Sequence, residues 1–205
     1  ALVMAKDFHG RGLLRAAVLV PWAIPTAITA KLWAFLFSEQ GIVNSIFHAH
    51  VAWQTDPWAA RFSIILADVW KTTPFMALLI LAGLQMIPKD LYEAARMDGA
   101  NAWQRFTRIT LPLAKNSIIV AVLFRMLDAL RMYDLPYIMV GPNPDSPTAT
   151  LSQLVVAAIR QDHVNAASAL STLIFLLIFL IALCFVKSLG SKVAHQAEPV
   201  VAEEE

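Results

Sequence analysis

Four long apolar runs alternate with polar stretches along this 205-residue chain, and their lengths set the plan of the molecule. Leu13 to Phe37 makes roughly 37 Å of helix at ~1.5 Å per residue, enough to cross a ~30 Å hydrocarbon layer with some tilt. Phe62 to Leu84, Leu113 to Met132 and Ala167 to Val186 are apolar enough to do the same. The pattern predicts an all-α membrane protein, a polytopic transmembrane helix bundle with spans at about 13-37, 62-84, 113-132 and 167-186. Pro21 and Pro25 inside the first run imply a kink whose freed carbonyls neighbouring helices must satisfy. Lys31, near that run's far end, can snorkel outward.

The polar stretches divide into loops and one organised segment. Ser38 to Arg61 has no clean period and reads as an external loop carrying a short interfacial helix, with Trp53 and Trp58 as anchors at the membrane surface. Pro136 is expected to end regular helix, so that Tyr137 to Thr150 forms a second external loop before a short helix at Leu151 to Arg160. Lys187 and Lys192 should stop the last span, and residues 191-205 read as a disordered tail without period. Met86 to Pro112 differs from all of these. Pro88 suits a first helical turn, Lys89 to Asp98 reads as helix, and Gly99 can take the left-handed backbone that ends one. Asn101 can then cap a second short helix with Gln104 as reciprocal partner, and Leu111-Pro112 closes the segment.

Charges inside the spans are the other candidate chemistry. Asp68 and Lys71 lie three residues apart on one helical face and can pair. Arg125, Asp128, Arg131 and Asp134 repeat every three residues, a spacing that drifts by about 60° per step and describes a slowly turning stripe. Such residues must look into a bundle interior, an aqueous route or a partner subunit.

Glu93-Ala94-Ala95, then Gly99, then Ile109-Thr110-Leu111-Pro112, resembles the EAA loop of the membrane subunits of bacterial ATP-binding-cassette importers, with each signature position at the family's spacing. Leu19 to Pro25 and the Asp134 to Tyr137 passage are similar to the carbohydrate-uptake branch, although only Gly141-Pro142 stands where many relatives carry a run of glycines. The resemblance implies the type I importer membrane-domain fold. It also implies a non-catalytic permease subunit carrying a sugar, such as a disaccharide, through the bacterial inner membrane. Glu93, Ala94, Ala95, Arg96, Met97, Asp98 and Gly99 would then form a coupling helix for a separate ATPase subunit, and Asp68, Lys71, Arg125, Asp128, Arg131 and Asp134 would line the translocation path. The implied partners are a second, homologous permease subunit, two ATPase subunits, an extracytoplasmic sugar-binding protein and membrane lipid. Such subunits usually carry about two more spans upstream, and the opening Ala1 to Ala5 reads as the tail of a helix from a longer protein.

Composition and charge narrow the alternatives. Residues are 58% hydrophobic and 15% charged, against about 25% charged in soluble domains. A net charge of +1, without a basic aromatic-lined stripe, argues against nucleic acid. One cysteine, Cys184, excludes an internal disulfide, and His48 and His50 point apart on a helix with no third ligand near, so no metal site is expected. No G-x-x-x-x-G-K-[ST] loop is present to cradle phosphates, which assigns ATP and its Mg to the partner ATPase. An intramembrane hydrolase would need a nucleophile and base at one depth, and neither G-x-S-x-G nor H-E-x-x-H occurs. An ion-coupled secondary transporter using the Asp68, Lys71, Arg125 and Asp128 charges, or an importer of a non-sugar solute, are the rival readings.

Lysine and arginine placement orients the bundle. Lys6, Arg11, Arg15, Lys89, Arg96, Arg105, Arg108, Lys115, Lys187 and Lys192 fall on the side of the Glu93 loop, and only Arg61 and Arg160 lie clearly opposite. The positive-inside rule therefore places residues 86-112 and the C-terminus in the cytoplasm.

Overall fold

The computed structural model describes residues 1–48 and 50–194, and among them every regular element is helical. After a single turn at Leu2–Ala5 (α1), helix α2 spans Arg11–Ala23 and α3 spans Thr26–Leu36. The two are bent by 87° where Ile24-Pro25 separates them. Leu13 to Phe37 is therefore broken into two helices rather than gently kinked: Pro25 has no N–H to continue the ladder, and the chain turns instead of absorbing the loss. Beyond the bend, α3 packs on Asp134–Met139 (α9) and on the long helix Pro57–Gln85 (α5).

Asp56 caps α5 by accepting from Trp58 N at 3.0 Å and Ala59 N at 2.8 Å, with Pro57 at the first position, so the span opens before Phe62. A 29-residue helix is roughly 43 Å long, longer than the hydrocarbon layer. It carries α2 on one side and Leu111–Leu130 (α8) on another. At the α5–α8 crossing, a Cβ built on Gly83 would stand under 3.0 Å from the Ser117 side chain. That glycine lets the two backbones approach, the device small residues supply in membrane bundles.

The segment expected to close at Leu111-Pro112 does not close. Ala102–Arg105 (α7) runs through a wide π turn, Phe106–Thr110, directly into α8, giving one helix of 29 residues. Leu111 N donates to Phe106 O across the π turn. Widening the helix there makes room for Pro112, which otherwise lacks a donor and crowds the carbonyl four residues back. The second helix of the polar segment is thus the lower end of a span.

Two external features also differ from expectation. Pro136 does not end regular helix, because α9 contains it and buries Leu135, Pro136 and Met139. Leu135 and Met139 join Ala30, Phe37, Ile64 and Ala67 in the main apolar core. Trp53 is packed rather than anchored at a surface: its ring lies 5.0 Å from Phe37, and its Nε1 donates to Asn44 Oδ1 at 2.7 Å. Buried Asn44, in the short helix Ile42–Phe47 (α4), also donates to the carbonyls of Glu39 and Val51 and so closes the loop. Trp58 is exposed with Arg61 4.9 Å above its ring.

Thr150 caps Leu151–Arg160 (α10) through a capping box with Gln153, and α10 packs on the final helix, Val164–Ala194 (α11). Lys187 and Lys192 do not stop this helix, which continues to Ala194, and the expected tail beyond it lies outside the described residues. The 18-residue apolar window of α11 has none of its residues buried inside the chain. Such an uninterrupted apolar surface is tolerable only against lipid or another apolar subunit. Among the described residues, three continuous helices are long and apolar enough to cross a membrane, and the bent α2–α3 pair would supply a fourth crossing if it is one broken span.

Candidate functional site

The polar segment is built by short-range bonds. Helix α6, Lys89–Met97, starts after Pro88 with Asp90 in its first turn and Arg96 in its last, both favourable to the helix dipole. It ends as the glycine corner predicts: Gly99 has φ 76°, Gly99 N donates to Arg96 O at 3.0 Å, and Ala100 N donates to Ala95 O at 2.9 Å. These are the two bonds of a Schellman motif. Asn101 and Gln104 then exchange the reciprocal bonds of a capping box, at 2.8 and 2.9 Å. One contact that sequence spacing does not announce fixes the helix to its support: Tyr92 Oη and buried Thr110 Oγ1 are 3.0 Å apart, joining α6 to the π turn.

That bond decides which face is free. Tyr92 and Ala95 turn toward the body of the protein, while Asp90, Glu93, Ala94 and Met97 are exposed. Met97 is 89% exposed and Trp103, at the head of α7, 71%. Large apolar side chains held this open beside two carboxylates form a surface suited to a protein partner. Lys89, at the head of α6, reaches back to Asp7 at 2.8 Å, and Asp7 also pairs with Arg11. The Lys89 ammonium, by hydrogen bond and by charge, holds the Asp7 carboxyl below its ordinary range, and Asp7 raises Lys89 in return.

At membrane depth the charges meet in a different pairing from the one expected. Asp68 does not bond Lys71: its carboxylate takes the Arg125 guanidinium from α8, which also reaches Asp128 at 2.8 Å. Asp68 and Arg125 side chains are 16% and 22% exposed, whereas Asp128 is 64% exposed. Lys71 Nζ instead donates to Ile24 O at 2.6 Å. It thereby satisfies a carbonyl left open at the α2–α3 break and places a cation at the negative end of α2. Arg131 and Asp134 are exposed and enter no ion pair among the described residues, so the stripe divides into a paired half and an open half. On the same helices and α2 three rings also meet: Trp22 stacks on Phe75 at 5.7 Å, and Phe75 meets Phe124 edge-on at 6.5 Å.

A bundle of candidate spans with an amphipathic, surface-mounted helix between two of them is the architecture that the importer-permease resemblance implies. The chain belongs to the family of binding-protein-dependent transport system inner membrane components, whose model matches residues 1–195. Its fold is the type I importer membrane domain. It is 44% identical over 192 residues to the trehalose/maltose transport system permease protein MalF of Thermococcus litoralis, covering 91% of this chain and 65% of that one. It is 39% identical over 193 residues to the trehalose transport system permease protein SugA of Mycobacterium tuberculosis, covering 93% and 62%. The chain thus spans somewhat under two thirds of the length of these curated relatives. Among solved structures, a bacterial ABC transporter involved in import of the acidic polysaccharide alginate superposes with a TM-score of 0.81 at 25% identity, covering 93% of this chain and 70% of that one.

Proposed function

We propose that this chain is the permease subunit of an ATP-driven, binding-protein-dependent sugar importer, and that α6 is the seat of its ATPase subunit. The observation that carries this is the free face of α6. Asp90, Glu93, Ala94 and Met97 are exposed on a helix fixed at one end by the Gly99 corner and along its length by the Tyr92–Thr110 bond. Ala94 keeps that face low enough to enter a cleft, Glu93 offers a charge at the rim, and Arg96, Met97 and Asp98 flank the exit toward Gly99. Motion of the seat passes straight into α8 because α7 and α8 are one helix. ATP and Mg belong to the partner, and this subunit performs no hydrolysis.

The sugar path runs past Asp68, Lys71, Arg125 and Asp128 and continues outward by Arg131 and Asp134. Charged groups that bond hydroxyls, together with the Trp22, Phe75 and Phe124 rings that pack on sugar faces, are the chemistry a carbohydrate needs. The two trehalose-linked relatives favour a disaccharide of that kind. A second permease subunit completes the path, and a binding protein delivers substrate from outside, a reading supported by the bacterial alginate ABC transporter solved in complex with its alginate pentasaccharide-bound periplasmic protein. Residues 86-112 and the C-terminus face the cytoplasm.

Two experiments test this reading. Ala94→Trp should leave a membrane-inserted permease that has lost its ATPase subunit on co-purification and with it sugar uptake; normal ATPase yield with substrate-stimulated hydrolysis would reject the seat. With Cys184 replaced, an impermeant thiol reagent on intact cells should label a cysteine at Asp145 and spare one at Lys89. The reverse pattern would overturn the orientation.

A further inference from the structure

Below the α2–α5 packing, the start of α2, the end of α5 and the head of α6 enclose a groove of about 850 Å³. Its size falls within the range of small-molecule sites, about 300 to 1,000 Å³. Five cations line it, Lys6, Arg11, Arg15, Lys89 and Arg96, against two carboxylates, Asp7 and Glu93. Asp7 is shared between Arg11 and Lys89, so it neutralises neither fully. Arg15 is held in place by donating from Nη2 to Met4 O at 2.7 Å, yet its Nε is buried without a hydrogen-bond partner. Gln85, Tyr92 and Thr110 add neutral polar groups, and Leu2, Ala5, Leu84 and Ile87 form an apolar stretch of the wall.

We propose that this groove binds the headgroup of an anionic phospholipid of the inner leaflet. The proposal rests on the cytoplasmic orientation given above. Leu84 stands one residue from the end of a membrane-spanning helix, which puts the groove at headgroup level, where phosphates are supplied. A phosphate meets the surplus positive charge, with Arg15 turning its buried, unpaired Nε–H toward it, and the apolar stretch receives the first carbons of an acyl chain. A soluble anion would use the cations and leave that wall empty. Basic pockets at the cytoplasmic ends of spans are a recurrent way to hold anionic lipid. Because Lys89 begins α6 and Arg96 lies in its last turn, a bound lipid would touch the same helix that seats the ATPase.

The test uses the assembled importer in nanodiscs of phosphatidylcholine with about 20 mol% phosphatidylglycerol, reading retained phosphatidylglycerol by native mass spectrometry. Removing Arg15 in Arg15→Gln should weaken retention about five-fold, from ~1 kcal/mol per cation near an anionic surface, and Lys6→Gln should act in the same direction. Asp7→Asn frees Arg11 and Lys89 and should strengthen retention by a similar factor, a gain that misfolding cannot imitate. Unchanged retention in Arg15→Gln and Asp7→Asn together would overturn the proposal. So would displacement of the lipid by millimolar inorganic phosphate, which would mark a site for soluble anions. Loss of the ATPase subunit from Lys6→Gln and Arg15→Gln with lipid retention intact would make the groove a protein contact and likewise reject it. Lipid retention is read independently of Ala94→Trp, so failure here leaves the α6 seat standing, and failure there leaves the lipid result standing.

Discussion

The polar helix α6 and the charged patch between α5 and α8 are both interruptions of an apolar chain, yet they are held by opposite kinds of contact. The shape of α6 and its corner rests on bonds between residues three to five apart, Gly99 to Arg96, Ala100 to Ala95 and Asn101 with Gln104, while Tyr92–Thr110 and Lys89–Asp7 tie the finished helix to the rest of the chain. The patch rests on bonds across 57 residues, Asp68 to Arg125, and 47 residues, Lys71 to Ile24. A locally determined element keeps its shape while its surroundings move, which suits the ATPase seat proposed for α6. A patch assembled from several spans changes whenever those spans shift, which suits the sugar path proposed there.

The strongest way to break this comparison is to part the spans and leave α6 intact. Gly83→Val sets a branched side chain against Ser117 under 3.0 Å from the Cβ position, and overpacking of this kind costs about 1–3 kcal/mol or more. We expect a large loss of monodisperse permease in mild detergent. Gly83→Ala combined with Ser117→Gly should recover most of it, since it removes both atoms that stand under 3.0 Å and Ser117 Cα is 3.8 Å away.

Next in size is Arg125→Met, which leaves Asp68 and Asp128 without their shared cation. Breaking a buried pair costs about 3–5 kcal/mol, and the partial exposure here reduces that toward the lower end. Asp128→Ala should be milder, because Asp68 keeps Arg125 paired. Thermal melting of the purified subunit and sugar uptake should both rank Arg125→Met below Asp128→Ala; equal effects would mean that Asp68 is not the main partner.

Smaller effects should come from α6 and its corner. Gly99→Val places a branched residue at φ 76°, at roughly 1–2 kcal/mol of backbone strain. Nothing lies within 4 Å of the added Cβ, so strain alone operates. Gly99→Asn should therefore be tolerated, and a Val-to-Asn difference in ATPase retention checks it. Smallest is Tyr92→Phe, which removes one hydrogen bond, about 1 kcal/mol, and should loosen α6 without unfolding it. Faster hydrogen exchange confined to residues 89–99 is the expected signature.

How much of this was legible in the sequence follows the same division. The glycine corner, the Asn101 cap and the apolar runs all follow from residue types within a turn or two of each other. Pro21 and Pro25 announced a disturbance but not an 87° turn, because its angle is fixed by the packing of α3 on α5 and α9. Leu111-Pro112 looked like an exit, and only a π turn, which has no sequence signal of its own, lets the helix continue. Asp68 and Lys71 satisfied the spacing rule for a pair, but each found a better partner on another helix. Tyr92–Thr110, which aims α6, joins two residues that look unremarkable in the sequence.

The central claim is that the exposed face of α6 is covered when the ATPase subunit is seated. In a background with Cys184 replaced, single cysteines at Ala94, Met97 and Lys115 can be reacted with a thiol reagent in the presence and absence of the ATPase subunit. Protection at 94 and 97, with none at Lys115, is the predicted result. Equal reaction rates at Ala94 and Met97 whether or not the ATPase subunit is bound would contradict it.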